Sequence, residues 1–294
     1  MKNYSKIAIV ASFFGLWMDS YLSSKYQIIF GFLLIFTIGI LHGANDLLLI
    51  KNKNITNQQN SGVKILGYYV LVVFAGLFLF YIIPQIALLL FIMFSANHFG
   101  EQQWQNIKGD FPKGILFLFQ FFYGLLILLL LFIFHSNEVQ NIIFKIANVT
   151  IPIPYFSLLL KLVSTIFIGL SAYLFWKSEK LRKKLFLEFF YLTLFLIIFK
   201  SSSLIWGFAI YFILWHSIPS IIDQIKFLNG SYSLRFFFSY CRDAWAYWLI
   251  SIIGMAILYY IFKDEHLFNA LFFSFLAAIT FPHTFVITKM FNKK

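Results

Sequence analysis

The sequence predicts an all-α protein, a polytopic transmembrane helical bundle of eight to ten membrane segments, with both termini cytoplasmic. Three observations lead there. Of 294 residues, 61% are hydrophobic and only 12% charged, with mean hydropathy +0.83; no water-soluble domain of this size is so apolar. Apolar runs of about 18 residues or more recur from end to end, each long enough to cross the roughly 30 Å hydrocarbon core as a helix. Lipid offers no partners to the backbone, so runs of this length span as helices. Lys and Arg also gather in alternate short loops, the pattern that sets orientation. We expect one integral membrane domain over residues 1–294.

Ten apolar segments cover roughly 7–23, 26–50, 65–83, 84–106, 114–134, 153–176, 185–199, 202–222, 244–262 and 267–288. The first follows Lys2 and Lys6 and resembles the start of a signal peptide. It ends at Trp17-Met18-Asp19 with no small-residue cleavage site, so it reads as a span. The second is closed by Lys51, Lys53 and Lys64. The third and fourth would be one very long run but for Pro84, where a tight hairpin is expected. The fifth follows Lys108 and Lys113, and the sixth ends on Lys177, Lys180, Arg182, Lys183 and Lys184. The first and seventh are short enough to be re-entrant. Lys226, Arg235 and Arg242 follow the eighth, and Lys289, Lys293 and Lys294 close the chain. With ten crossings all these basic groups share one side. The opposite loops are nearly neutral: Asp19 with Lys25, the Pro84 turn, Glu138 with Lys145, Lys200 alone, and Lys263 with Asp264 and Glu265. The basic side is cytoplasmic.

The net charge of +12 is therefore topological, and no basic stripe with interleaved aromatics points to nucleic acid. Cys241 is the only cysteine, which excludes an internal disulfide or a thiolate cluster. The 41 Phe residues would suit a tunnel for a long apolar ligand, although codon bias accounts for them as well. Lys161 and Glu188 fall near span ends, where long side chains snorkel. Trp17, Trp104, Trp176, Trp206 and Trp248 fit an interfacial aromatic belt; Trp104 and Trp215 could instead wall a pocket.

Four histidines, His42, His98, His216 and His283, lie inside apolar segments two, four, eight and ten. An ionisable group within a span is costly and marks a functional site. All four segments run from outside to inside. Each histidine comes about 14–16 residues along its segment, roughly 21–24 Å at 1.5 Å per residue, so all reach a similar depth. Imidazole suits iron, zinc, copper and nickel, and four singly placed rings favour one buried ion over two. Neutral imidazoles leave the cation's charge uncompensated, and nearby carboxylates would relieve that and orient the rings. Asp46, four residues after His42, and Glu101, three after His98, share a helical face with their histidines. Asn97, Ser217, Asn45 and Thr284 are polar neighbours. His135 and His266 fall by the outer loops and read as surface residues. Paired histidine boxes, phosphate-binding loops and dinucleotide fingerprints are absent.

The strings His42-Gly43-Ala44-Asn45-Asp46, Ser95-Ala96-Asn97-His98-Phe99-Gly100, Trp215-His216-Ser217 and Pro282-His283 resemble the bacterial Brp/Blh family. These are membrane-integral β-carotene 15,15′-dioxygenases that supply retinal to rhodopsins. The resemblance implies a multi-pass protein of the bacterial inner (plasma) membrane that holds Fe(II). It implies O2 as co-substrate, β-carotene taken from membrane lipid, two retinal molecules per cleavage, and a retinal-using rhodopsin as product acceptor. It makes His42, His98 and His216 metal ligands and catalytic residues. Many members carry a second histidine four residues after the one in the Trp-His-Ser string. Here that position is Ser220, after Pro219, and His283 is the substitute ligand. Without the resemblance, the histidines also suit an integral bis-histidine haem protein, a proton-coupled transporter or a pigment-binding protein.

Overall fold

The computed structural model describes residues 2–51, 62–105, 107, 111–262 and 265–292. Lys53, Lys108, Lys263, Asp264, Lys293, Lys294 and the side chain of His266 lie outside the described residues. Eleven helical stretches account for nearly all the rest. We number them α1 (Lys2–Asp19), α2 (Ser24–Lys51), α3 (Gly62–Ile82), α4 (Pro84–Trp104), α5 (Lys113–Phe134), α6 (Ser136–Ala147), α7 (Ile153–Lys177), α8 (Glu179–Ser201), α9 (Leu204–Asn229), α10 (Leu234–Phe262) and α11 (Glu265–Asn292). Each of the ten expected segments is a helix. The addition is α6, within what reads as an outer loop: Glu138 and Lys145 on one side and Val139 and Ile143 on the other make it amphipathic.

Five stretches are long and apolar enough to cross a membrane: Ser24–Lys51, Lys113–Phe134, Ile153–Lys177, Leu204–Asn229 and Leu271–Phe291. Helix α8 outruns its apolar segment because Ser178 caps it, its hydroxyl accepting from the Leu181 N–H, and Glu179 to Lys184 form its first turns. Helix α9 ends where Gly230, at φ +79°, turns its N–H back to the Lys226 carbonyl. Between α3 and α4 the break is one residue wide. Ile83 still donates to Leu79 and Ala87 to Ile83, and Pro84 removes the donor between them. The chain passes from one helix to the next there through a single residue, with no loop.

Two helices contain wider π turns, Ile35–Gly39 in α2 and Phe212–Ser217 in α9. Such turns concentrate at functional sites, because the changed register frees carbonyls and re-aims side chains. Pro219 explains the second: it offers no N–H to the Trp215 carbonyl and its ring would crowd that oxygen, which the wider turn relieves.

The chain forms two compact units. The first comprises Met1–Leu34, Ser95–Gln140 and Ile151–His216. In it α5 packs against α7 and α8, and Ser24–Leu34 packs against Leu204–Tyr211. Its core is aromatic: Phe119, Tyr123, Phe167, Phe195 and Phe199 are fully buried. Helices α4 and α5 meet backbone to backbone through Gly100 and Gly124, where any Cβ would strike the facing chain. Helix α1 grips α9: Tyr4 donates to the Leu214 carbonyl (2.5 Å), Trp215 to Ser12 (2.9 Å) and Trp206 to the Gly15 carbonyl (3.2 Å).

Glu188 does not snorkel. It is 1% exposed and accepts bonds from Gln103 (2.7 and 2.8 Å) and Tyr123 (3.0 Å). Lys184 pairs with it at 3.6 Å, donates to the Gln103 carbonyl and lies 4.4 Å over the Trp104 ring. A carboxylate held by this many donors tolerates burial that an isolated one would not. The aromatic belt also needs correction. Trp17 (55%) and Trp176 (80%) are exposed, but Trp104 and Trp206 are core residues. His135 is no surface residue either: its side chain is 8% exposed and bonds the Phe199 carbonyl at 2.8 Å.

The second unit comprises Ile35–Phe94, Asn141–Thr150 and Ser217–Lys294. Here α11 packs along α3, and α10 packs against Ile40–Ala44. Leu49, Val286, Ile287, Met290 and Phe291 form one apolar cluster, and Ile221, Ile225 and Tyr240 another.

Candidate metal centre

In the first unit, His98 comes from α4 and His216 from the π turn of α9. Both rings are buried, with centroids 4.7 Å apart and planes at 79°. Phe99 meets His216 edge-on at 4.6 Å and Phe212 stacks on it at 5.4 Å, so the pair is walled by apolar rings. The His216 carbonyl accepts the side-chain amide of Gln102 at 2.8 Å. Helix α4 therefore supplies one imidazole and also holds the backbone of the other.

In the second unit, His42 from α2 and His283 from α11 form a matching pair, buried, with centroids 4.7 Å apart at 86°. The Nδ1–H of His42 donates to the Gly39 carbonyl at the end of the π turn. The Nδ1–H of His283 donates to the Asp46 carboxylate, at 2.8 and 3.0 Å from its two oxygens. Asp46 also accepts from the Tyr69 hydroxyl at 2.9 Å. The helix breaks at Asn45 (φ −94°, ψ 11°). Gln224 donates to the His42 carbonyl at 2.8 Å, and the Tyr240 hydroxyl donates to Gln224 at 2.7 Å and lies 3.3 Å from the same carbonyl. Each unit thus holds a histidine carbonyl by a buried glutamine.

Asp46 does not serve the histidine that its spacing indicates. A continuous helix would set it over His42, but the Asn45 break re-aims it at His283, 237 residues away. Glu101 is half-buried three residues after His98, and Gln102 is the buried residue that ties the pair together. Asn97 is half-buried with its Oδ1 enclosed, and the fully buried Ser217 hydroxyl follows His216; neither oxygen has a partner among the described residues. Ser220 is buried and accepts from Gln224 at 3.1 Å. Asn45 donates to the Tyr240 carbonyl at 2.8 Å, and Thr284 to that of Thr280. Sequence reasoning missed Gln102, Gln224, Tyr240 and Tyr69. Gln102 and Tyr69 are polar residues within apolar segments, Gln224 and Tyr240 fall outside them, and no spacing ties any of the four to the histidine it serves.

The donor set can be tested against a metal ion. With nitrogen about 2.0–2.1 Å from the metal, an imidazole centroid lies roughly 3.1 Å from it. Two rings on adjacent positions then have centroids about 4.4–5.1 Å apart, and two on opposite positions about 6.2 Å. The 4.7 Å in each unit fits adjacent ligands of one ion. It leaves no room within either pair for a porphyrin, whose axial rings lie on opposite faces. In the second unit both Nδ1 atoms carry protons held by acceptors, so the Nε2 atoms are the donors.

A family model described as beta-carotene 15,15'-dioxygenase matches residues 33–291. No curated protein and no solved structure matches the chain.

Proposed function

Because the chain belongs to the β-carotene 15,15′-dioxygenase family, we propose that it cleaves the central double bond of β-carotene. One O2 is consumed, and each carbon of that bond takes one oxygen atom, giving two retinal molecules. In this reading His42, His98, His216 and His283 hold a single Fe(II). The observation that carries it is the pair of buried imidazole pairs, each spaced as adjacent ligands of one ion and each fixed through a backbone carbonyl. The bound Fe(II) would supply a site where O2 is activated toward the electron-rich polyene.

The protein's own part is position and exclusion. Gly39 and Asp46 hold the Nδ1 protons of His42 and His283, so neither ring can turn its other nitrogen inward. Gln102 and Gln224 anchor the backbone beneath His216 and His42. Phe99 and Phe212 keep the His216 ring in apolar surroundings and offer a dry face to a polyene. Fixing which double bond meets the metal is a problem of orientation, and restraint of this kind is worth several orders of magnitude in rate. We assign the chain to the bacterial inner membrane with ten crossings and cytoplasmic termini. β-Carotene enters from the lipid, and retinal passes to a rhodopsin.

The test is expression in a β-carotene-producing cell. Orange colour fades and retinal appears in the extract; His98→Ala restores the colour and lowers the iron that copurifies. Colour that persists with the wild-type chain, or a Soret band in the purified protein, overturns the proposal.

A further inference from the structure

Resting on the ligand role proposed for His283, we infer that Tyr69 is a positioning residue of the metal centre, acting through Asp46. The Tyr69 hydroxyl donates to Asp46 Oδ2 at 2.9 Å, and His283 Nδ1 meets the two oxygens of the same carboxylate at 2.8 and 3.0 Å. All three side chains belong to the second unit, on α3, α2 and α11.

The physical need is specific. Asp46 lies just past a helix break, in the first turn of a six-residue helical piece, where the backbone alone restrains its side chain weakly. A carboxylate that can swing holds an imidazole in no fixed orientation. The Tyr69 hydroxyl takes one oxygen and sets the plane of the group, which then sets the plane of His283. The hydroxyl also gives the buried carboxylate a second donor beside the His283 Nδ1–H. Helix α3 packs along α11, so Tyr69 locks the histidine from the helix beside it. Gly43 completes the arrangement from the third side: a Cβ there would lie 3.6 Å from His283 Nδ1, in ordinary contact, so the ring is closely backed but not displaced. Partners of this kind, one step from a ligand, change metal affinity about 10–100-fold when removed.

The test uses the full chain in detergent with Fe(II) and Co(II) as probes. Tyr69→Phe keeps the ring and removes only the hydroxyl. Fe(II) affinity, measured by competition with a chelator, should fall about 10-fold or more, and the visible absorption of the cobalt-loaded chain should change. The unfolding temperature of the metal-free chain should stay within a degree or two, a shift that a purely structural role would exceed. Asp46→Asn should show a similar spectral change and at least as large a loss. If Tyr69→Phe binds Fe(II) as tightly as the wild type with an unchanged cobalt spectrum, the inference is wrong. It is also wrong if affinity falls only in step with metal-free stability. A wild-type chain that binds neither ion sinks the metal reading itself, and this inference with it.

Discussion

Gly100→Ala gives the sharpest single test of how the first unit is built. A Cβ at this position would lie 1.7 Å from the Gln120 carbonyl oxygen, 2.4 Å from its carbon and 3.0 Å from its Cα. Close carbon–oxygen contacts between helices settle at about 3.3–3.6 Å, so α4 and α5 would have to part by roughly 1.6–1.9 Å. The obstacle is backbone, and no rotamer change removes it. A Cβ at Gly124 would likewise lie 1.9 Å from the Ala96 carbonyl oxygen in the same crossing, so the helices cannot relieve the strain by sliding. Overpacking of this kind costs about 1–3 kcal/mol. The functional cost is larger, because His98 sits between Ala96 and Gly100 on the displaced helix. A shift of about 1 Å in a reacting geometry costs on the order of 100-fold in rate. Retinal formed per unit of chain in membranes, and thermal unfolding in detergent, measure the two effects. Gly169→Ala on α7 is the control, since nothing lies within 4 Å of a Cβ there. A Gly100→Ala chain with wild-type retinal output and unchanged unfolding would refute both the close crossing and the placement of His98 beside it.

Other predictions follow from buried polar groups. Gln224→Leu removes the 2.8 Å donor to the His42 carbonyl; stability should drop by about 1–3 kcal/mol, with copurifying iron reduced, as denaturant titration and metal analysis will read. Gln102→Leu should act in the same way on His216, and a variant with full iron content would show that the bond only braces the fold. Glu188→Ala strands Lys184, which is 26% exposed and partly able to reach the surface. The loss should be near the lower end of the 3–5 kcal/mol seen for broken buried pairs, about 3 kcal/mol, and Glu188→Gln should recover part of it through Gln103 and Tyr123.

Much of the fold was legible because hydropathy is a local property. A run of apolar residues is long enough to span or it is not, and the ten segments reappear as ten helices whose ends shift by a few residues to about ten. Helix α10 begins at Leu234, well before its apolar segment, because Arg235 and Arg242 read as loop charges yet lie in helical turns. Helix α6 escaped because an amphipathic helix of twelve residues has too few apolar positions to register as a run. Glu188 was misjudged for a related reason: nearness to a span end says where a charge could reach water, and only its neighbours say whether it does.

The histidines divide along the same line. Their place in apolar segments, their similar distance along those segments and the motifs around them are properties of the chain, and they were enough to single out His42, His98, His216 and His283 and to suggest the family. Which ring stands beside which was not. His42 pairs with His283, His98 with His216, and Asp46 turns to His283 because one residue, Asn45, breaks the helix between Asp46 and the histidine it would otherwise face. Sequence alone determined what the chain must bury and which residue types it buries at cost. Tertiary structure decided the partners, because a hydrogen bond needs two groups within about 3 Å, and such closeness between residues 237 positions apart arises only when the helices have packed.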